Sequence, residues 1–462
     1  IDQSNFLKGM SSGAQISDGG YSSESDAFNP IVTPGVLYAP AKAVDSDTDV
    51  RLTDEIIASC QNVAVGVGVN TFVVTEDGKF YPFNGTKISA VAFATDATNA
   101  YAKGFTDIIA YKGEAYVTTK QLIKRWVAPG TITDLTGGGF TNTTLQHPAI
   151  VFEDNAFYGD GNLLLRQTAA NGAPATILTL PTGQVIIALG IDPGTGKMLI
   201  STTATLNIAA ARPVIHKLHW YDGFSDKVIK AVIVDDMITA FYSHEGAVYV
   251  GYGQNLGYLN GSGITFLRKL NNVTLSAEDL PYKHNFSHIG NTLYVVDGYK
   301  ILAYGEIVKG GGKVFYYAYR NYFGVTNTTK FKCIFDAGSG KLGISSATAK
   351  FYTLDTTSVA DLDLIDLISN WYYFPRPVII RSAYIQTLGQ IGSSNNFTFN
   401  YKDTEETTGY RALASQGVVT SVYEVFNIIG FLGKITAMKF RIQNSTENDG
   451  LKRVILYYDF AE

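Results

Sequence analysis

The residues best suited to acid–base or metal chemistry in this chain are six histidines, His147, His216, His219, His244, His284 and His288. His284 and His288 are four apart, a spacing that would chelate a metal from one face of a helix. The intervening Asn285-Phe286-Ser287 reads instead as the start of a strand, where four residues separate side chains by roughly 13 Å. His216 and His219 would face opposite sides of a strand, which makes them poor joint ligands. Gly194-Thr195-Gly196-Lys197 has the outline of a phosphate loop, but position 191 is Ile and Met198 stands where Ser or Thr is required, so a hairpin turn is the better reading. Glycoside hydrolysis needs two carboxylates across a cleft. Glu153, Asp154, Asp160, Asp235, Asp236 and Glu245 are candidates by type, yet acids at turns are ordinary. Exposed aromatics that stack on sugars are offered by Trp371-Tyr372-Tyr373-Phe374 and Tyr401, residues that equally fill a junction between domains. No catalytic, cofactor-binding or metal-ligating residue is assigned from the sequence.

The elements that carry these residues are strands. Aromatic residues make up 13%, with 29 Tyr and 26 Phe, against 17% charged residues and 46 Gly, a balance that suits pleated half-buried surfaces joined by tight turns. In Thr239–Gly261 an apolar run ends at a Gly turn, Ala247-Val248-Tyr249-Val250 follows, and Leu256-Gly257-Tyr258-Leu259 is closed by Asn260-Gly261. That is a three-strand meander. Aligning its second strand with the rest of the chain finds Val73, Tyr116, Phe157, Leu199, Tyr249, Tyr294 and Gly343 as equivalent markers, 41 to 50 residues apart. This is the period of a propeller blade. The fold class expected is therefore all-β: a β-propeller over 51–357, seven blades favoured with six or eight open. In the fourth unit the third strand, Lys217–Tyr221, comes late, after an insertion around Thr202–Pro213. His244 and Glu245 fall at the turn where other copies carry Lys112-Gly113 or Glu153-Asp154, so that position calls for turn residues.

Residues 1–50 are dominated by Gly, Ser, Asp and Ala and read as an extended N-terminal arm, with Thr33–Tyr38 able to supply one strand. After 358 the strands lengthen and alternate with period two, giving a C-terminal β-sandwich over 358–462. Within it, the alternation of Leu and Asp in Asp361–Ile368 favours strand over helix.

A net charge of −5 and the absence of basic blocks argue against a nucleic-acid partner. No apolar run reaches membrane-spanning length, the longest lying near Val185–Ile191, and no secretion signal is visible at Ile1. Sequons such as Asn84, Asn142, Asn260 and Asn444 are what a chain rich in Asn, Ser and Thr yields by chance. Cys60 and Cys333 are expected on the first strands of adjacent blades as buried thiols, with a disulfide the lesser alternative.

The arm with Phe6-Leu7-Lys8-Gly9-Met10-Ser11 and Asn29–Gly35, the weakly marked propeller, and a sandwich entered through Trp371-Tyr372-Tyr373-Phe374-Pro375-Arg376-Pro377 together resemble propeller-bearing virion proteins of tailed bacteriophages. The resemblance implies a non-enzymatic structural or host-contacting role in the tail or neck, in several copies, assembled in the host cytoplasm. Its partners would be other virion proteins, copies of itself and a host surface glycan, with no nucleic acid, membrane or cofactor. The alternative is a secreted glycan-binding or glycan-cleaving propeller; a scaffold for cellular proteins is a third option, without the WD or kelch signatures.

Overall fold

Turn chemistry decides where this chain folds back. Lys112-Gly113 (φ 49° and 79°), Glu153-Asp154 (45° and 58°) and Glu245-Gly246 (49° and 75°) each place two successive residues at positive φ, as the two-residue hairpin turn that matches strand twist requires. Each joins a first strand to a second. The computed structural model describes residues 2–3, 37–38, 43–45, 52, 54–65, 69–83, 94–95, 101–127, 131–204, 215–270, 280–298, 300–306, 312–320, 331–338, 340–346, 350–355, 366–368, 371–387, 397–403, 411–415, 423–427, 434–444 and 450–461. These are strands and turns, with no α-helix among the described residues.

Seven antiparallel four-stranded sheets form the blades of a β-propeller. Blade 1 comprises Ile56–Val65, Val69–Thr75, Lys79–Phe83 and Ala94–Thr95, and blade 2 Ile108–Tyr111, Glu114–Thr118, Leu122–Val127 and Thr131–Gly139. Blade 3 is Ala149–Phe152, Asn155–Asp160, Leu163–Gln167 and Ala175–Thr179; blade 4 is Gln184–Asp192, Lys197–Ala204, His216–Tyr221 and Lys230–Val234. Blade 5 is Ile238–His244, Ala247–Tyr252, Asn255–Asn260 and Gly263–Lys269, and blade 6 is Phe286–Ile289, Thr292–Asp297, Lys300–Glu306 and Lys313–Arg320. Blade 7 contains Phe331–Gly338, Lys341–Ser346 and Lys350–Asp355. Its fourth strand is Ala43–Asp45, paired Val44 to Thr353. All seven aligned marker segments are second strands.

Apolar alternation pays off between blades, where facing sheets bury their side chains against each other. Ile57, Phe72 and Phe80 of blade 1 pack on Ile108 and Trp126 of blade 2, with the Phe72 and Trp126 ring centroids 4.8 Å apart. Ile56, Val73 and Tyr81 of blade 1 pack on Cys333 and Phe335 of blade 7, so the last blade meets the first and the ring is closed. Burying one such aromatic contributes about 2–3 kcal/mol.

Three expectations are corrected here. The arm proposed over residues 1–50 contributes Ala43–Asp45 to the propeller, because blade 7 otherwise lacks an outer strand. The blade 4 insertion begins later than Thr202, since Thr202 to Ala204 continue the second strand in register with Lys217 and His216; 205–214 lie outside the described residues. His244 is the last residue of a first strand, hydrogen-bonded in register opposite Ala247, and the turn proper is Glu245-Gly246.

The C-terminal strands form a nine-stranded antiparallel sheet. Its centre is the long strand Tyr372–Thr387, which pairs with Gly450–Phe460, Ile435–Asn444 and Tyr423–Asn427. Phe397–Lys402, Arg411–Ser415 and Asp366–Ile368 complete that side; the remainder of Asp361–Ile368 lies outside the described residues. The two sides are joined where Tyr372–Thr387 pairs with Ile435–Asn444 across a register shift between Tyr373 and Val378. Asp2–Gln3 and Leu37–Tyr38 pair with Gly450–Phe460, the second within the stretch expected to supply a strand.

Candidate functional site

The first strands of the blades line the propeller axis, and small residues let them approach. A Cβ on Gly190 would stand 2.4 Å from Phe241 Cβ, so the first strands of blades 4 and 5 meet there with no room for a side chain.

At the leading end of these strands, charged groups from distant parts of the sequence converge. Asp107 immediately precedes the first strand of blade 2. Lys283 and His284 lie in the 3₁₀ turn Lys283–Asn285 ahead of blade 6. That turn is fixed locally: Tyr282 N–H donates to Asn285 Oδ1 at 2.9 Å, and Asn285 Nδ2 donates to the Lys332 carbonyl of blade 7 at 2.7 Å. Lys283 Nζ then donates to Asp107 Oδ1 at 3.0 Å and to the Ala149 carbonyl at 3.0 Å. His284 Nε2 meets Asp107 Oδ1 at 2.8 Å, and Ala149 N–H donates to Asp107 Oδ2 at 2.9 Å. Ser59 N–H approaches His284 Nδ1 at 3.4 Å, which sets Nδ1 as acceptor and Nε2–H as donor. Burial alone would raise the Asp107 carboxyl, but Lys283 and His284 outweigh it and hold it well below the usual carboxylate range. One carboxylate thereby ties blades 2, 3 and 6, and through Ser59 blade 1.

Beyond this plug, toward the trailing end, the axis opens into a cavity of about 410 Å³ walled by Phe241, Tyr242, Phe286 and Phe335, with Gln61 and Asp336 among its polar lining. Its polar groups are largely satisfied by one another. Gln61 Nε2 donates to the Asp336 carbonyl at 3.3 Å, Ser243 Oγ to the Ile191 carbonyl at 2.6 Å, and Tyr242 Oη bonds His288 Nδ1 at 2.7 Å. Burial, reinforced by Asp336, raises the Tyr242 phenol. Beside it the His244 and His288 ring centroids lie 4.5 Å apart, and His244 is lowered by burial and by His288. No group of three or more metal-ligating side chains occurs among the described residues. The cavity can admit a small, largely apolar molecule; its floor is a neutralised ion pair with all three Lys283 protons engaged.

The sequence candidates disperse. His284 and His288 go separately to Asp107 and Tyr242, and His216 and His219 to Thr203 and Thr202. Gly194 to Lys197 is a hairpin turn in which Asp192 accepts from Gly194 N–H and Thr195 Oγ. Asp160 accepts from Thr141 N–H at 2.8 Å and Asn142 N–H at 3.0 Å, pinning the loop ahead of blade 3. Asp236 caps Met237 N–H at 2.7 Å, and Glu245 pairs with Lys313 at 2.7 Å. Tyr401 is buried while Tyr373 is exposed. Cys60 and Cys333 lie on the first strands of blades 1 and 7 and are free thiols, each pushed up to about 12 by burial. Asp107 and Lys283 went unremarked in the sequence, because nothing local pairs residues 176 apart. An acid directly before a first strand was the available signal.

These features define a seven-bladed β-propeller with a braced axis, carried on a chain that adds a nine-stranded sheet. No family model matches the sequence, and no curated protein matches it. Among solved structures, the chain is similar to the Pan2 WD40 domain of Neurospora crassa at 9% identity, over 70% of this chain and 97% of that one, with a TM-score of 0.44. It is similar to the extracellular domain of a hybrid two component system from B. thetaiotaomicron at 12% identity, over 96% of this chain and 59% of that one, with a TM-score of 0.49. YCF48 from Cyanidioschyzon merolae matches at 10% identity over 69% of this chain and 100% of that one, with a TM-score of 0.44.

Proposed function

We propose that the chain is a non-enzymatic structural protein of a virus particle, tail or neck associated, that docks on neighbouring virion subunits and contacts the host surface. The observation that carries this reading is a set of exposed aromatic side chains on the C-terminal sheet. Tyr373 on one strand, and Tyr457 and Phe460 on the strand paired with it, are large and exposed, Tyr373 opposite Ala437 and Tyr457 and Phe460 on opposite sides of their strand. Aromatic side chains left on a regular sheet are the composition of an interface core. The braced axis supports the same reading: a ring tied across its centre is a rigid platform. Mass spectrometry and electron imaging of purified particles test it. A seven-bladed density in the tail or neck, with peptides of this chain in the particle, is the expected result, and particles that lack the chain overturn it. The alternative, a secreted glycan-binding or glycan-cleaving propeller, would use such exposed aromatics for sugar stacking; new reducing ends after incubation with host polysaccharide would favour it.

A further inference from the structure

The axial cavity carries a negative charge that has no ion-pair partner among the described residues. At the floor, Lys283 is neutralised by Asp107, and His284 beside it meets the same carboxylate. Asp336, on the first strand of blade 7, lines the opposite end. Its Oδ1 accepts from Gly338 N–H at 2.7 Å, which fixes the side chain and leaves the charge in place. His288, also in the lining, is bonded to the Tyr242 hydroxyl rather than to Asp336. The charge of Asp336 reaches across the axis: with burial as the larger cause, it raises the phenol of Tyr242, two blades away. A carboxylate at the mouth of an apolar enclosure attracts a cation more strongly than it would in bulk water, because the effective dielectric is lower.

The rest of the lining selects the kind of cation. Phe241 and Tyr242 of blade 5, Phe286 of blade 6 and Phe335 of blade 7 supply aromatic rings, which favour an organic cation that sheds water easily. The nearby polar groups are already committed, Gln61 Nε2 to the Asp336 carbonyl and Ser243 Oγ to the Ile191 carbonyl. A primary ammonium needs acceptors for three N–H groups, and a metal ion needs a group of ligands that does not occur among the described residues. A quaternary ammonium needs neither, since its charge is spread over alkyl groups that lie against rings and beside a carboxylate without a hydrogen bond. The size agrees. A volume of about 410 Å³ falls within the range of small-ligand pockets, and the four positions from His284 to His288 set a depth of roughly 13 Å.

We propose that the axial cavity binds a small organic cation of the quaternary ammonium class, its apolar part among the four rings and its charge beside Asp336. The site lies within the ring and does not depend on the particle role proposed above.

Isothermal titration of the full chain tests this with two probes, choline and its neutral isostere neohexanol, in which carbon replaces the nitrogen. Choline should bind about tenfold more tightly or better. Asp336→Asn keeps an oxygen for Gly338 N–H, so thermal unfolding should be unchanged, while choline binding weakens about tenfold and neohexanol binding stays the same. Ser243→Trp sets a large ring at the exposed mouth of the cavity and should abolish binding of both probes. No heat with choline up to ~10 mM, neohexanol binding as tightly as choline, choline binding indifferent to Asp336→Asn, or binding that survives Ser243→Trp overturns the inference. Phosphatidylcholine vesicles present the same head group on a surface and should not sediment the protein, because the site lies inside the ring; co-sedimentation without binding of free choline overturns it as well.

Discussion

Replacing Asp107 by Asn keeps the size of the side chain but removes its charge and turns one acceptor into a donor. The carboxylate holds Lys283 Nζ at 3.0 Å, His284 Nε2 at 2.8 Å, Ala149 N–H at 2.9 Å and its neighbour Ile108 N–H at 2.8 Å. At 3.0 Å and an effective dielectric near 20, the attraction to Lys283 is roughly 5 kcal/mol. Lys283 is part-exposed, so water recovers some of this when the charge is lost, and a net cost of about 3 kcal/mol is expected. In a chain of this size that is a fall in Tm of roughly 3 °C, read by calorimetry. The pH dependence provides a second readout. The folded-state pKa of Asp107 is depressed, so its contribution is full above the unfolded value near 3.8 and is lost as pH falls below that toward the folded value. The lead of the wild type over Asp107→Asn should therefore hold from neutral pH down to about 4 and then shrink. A variant within about 1 °C of the wild type, or a lead unchanged at pH 3, would refute the bracing role.

Three further outcomes are expected. His219 is lowered to about 4 by burial and by Lys217; its folded pKa lies below the unfolded one, so it costs stability as pH drops from about 6.5 toward 4, and His219→Gln should show a shallower loss in acid unfolding curves over that window. With the buried Cys333 thiol pushed up to about 12, native-state alkylation of Cys333 at pH 8 should run roughly a thousandfold slower than for a free cysteine, followed by mass spectrometry; complete labelling of Cys333 within minutes would contradict the burial. Val44→Pro removes a backbone donor from the strand opposite Thr353, and limited proteolysis within blade 7 should quicken several-fold, whereas an unchanged digestion pattern would mean that blade 7 does not need this strand.

The repeated part of the fold was legible because hairpins are local: an apolar run, a turn pair such as Lys112-Gly113 and a second run such as Ala115–Val117 carry their own instructions. What the sequence hid was everything joined over long distances. Val44 and Thr353 are paired across 309 residues, and three residues of Ala-Val-Asp have no pattern to announce a blade strand. Asp107, Lys283 and His284 meet because seven inner strands converge on one axis, a geometry no spacing rule encodes. His244 illustrates the boundary error typical of hairpins, in which the turn was recognised and its edge misplaced by one residue.

The strand Ala43–Asp45 also sets an order of events. Its partners lie 309 residues later along the chain, at Val44 and Thr353, and those of Asp2–Gln3 lie later still, at Ile455 and Val454. Blades 2 to 6 can zip up from neighbouring hairpins as the chain emerges, each at the low entropic cost of a short loop. The seventh cannot acquire its fourth strand until residue 355 has been made, and the nascent amino-terminal segment must wait for it. Completion of the ring is thus a late, slow step, and translation arrested before that point leaves a ribbon of sheets with an unsealed seam.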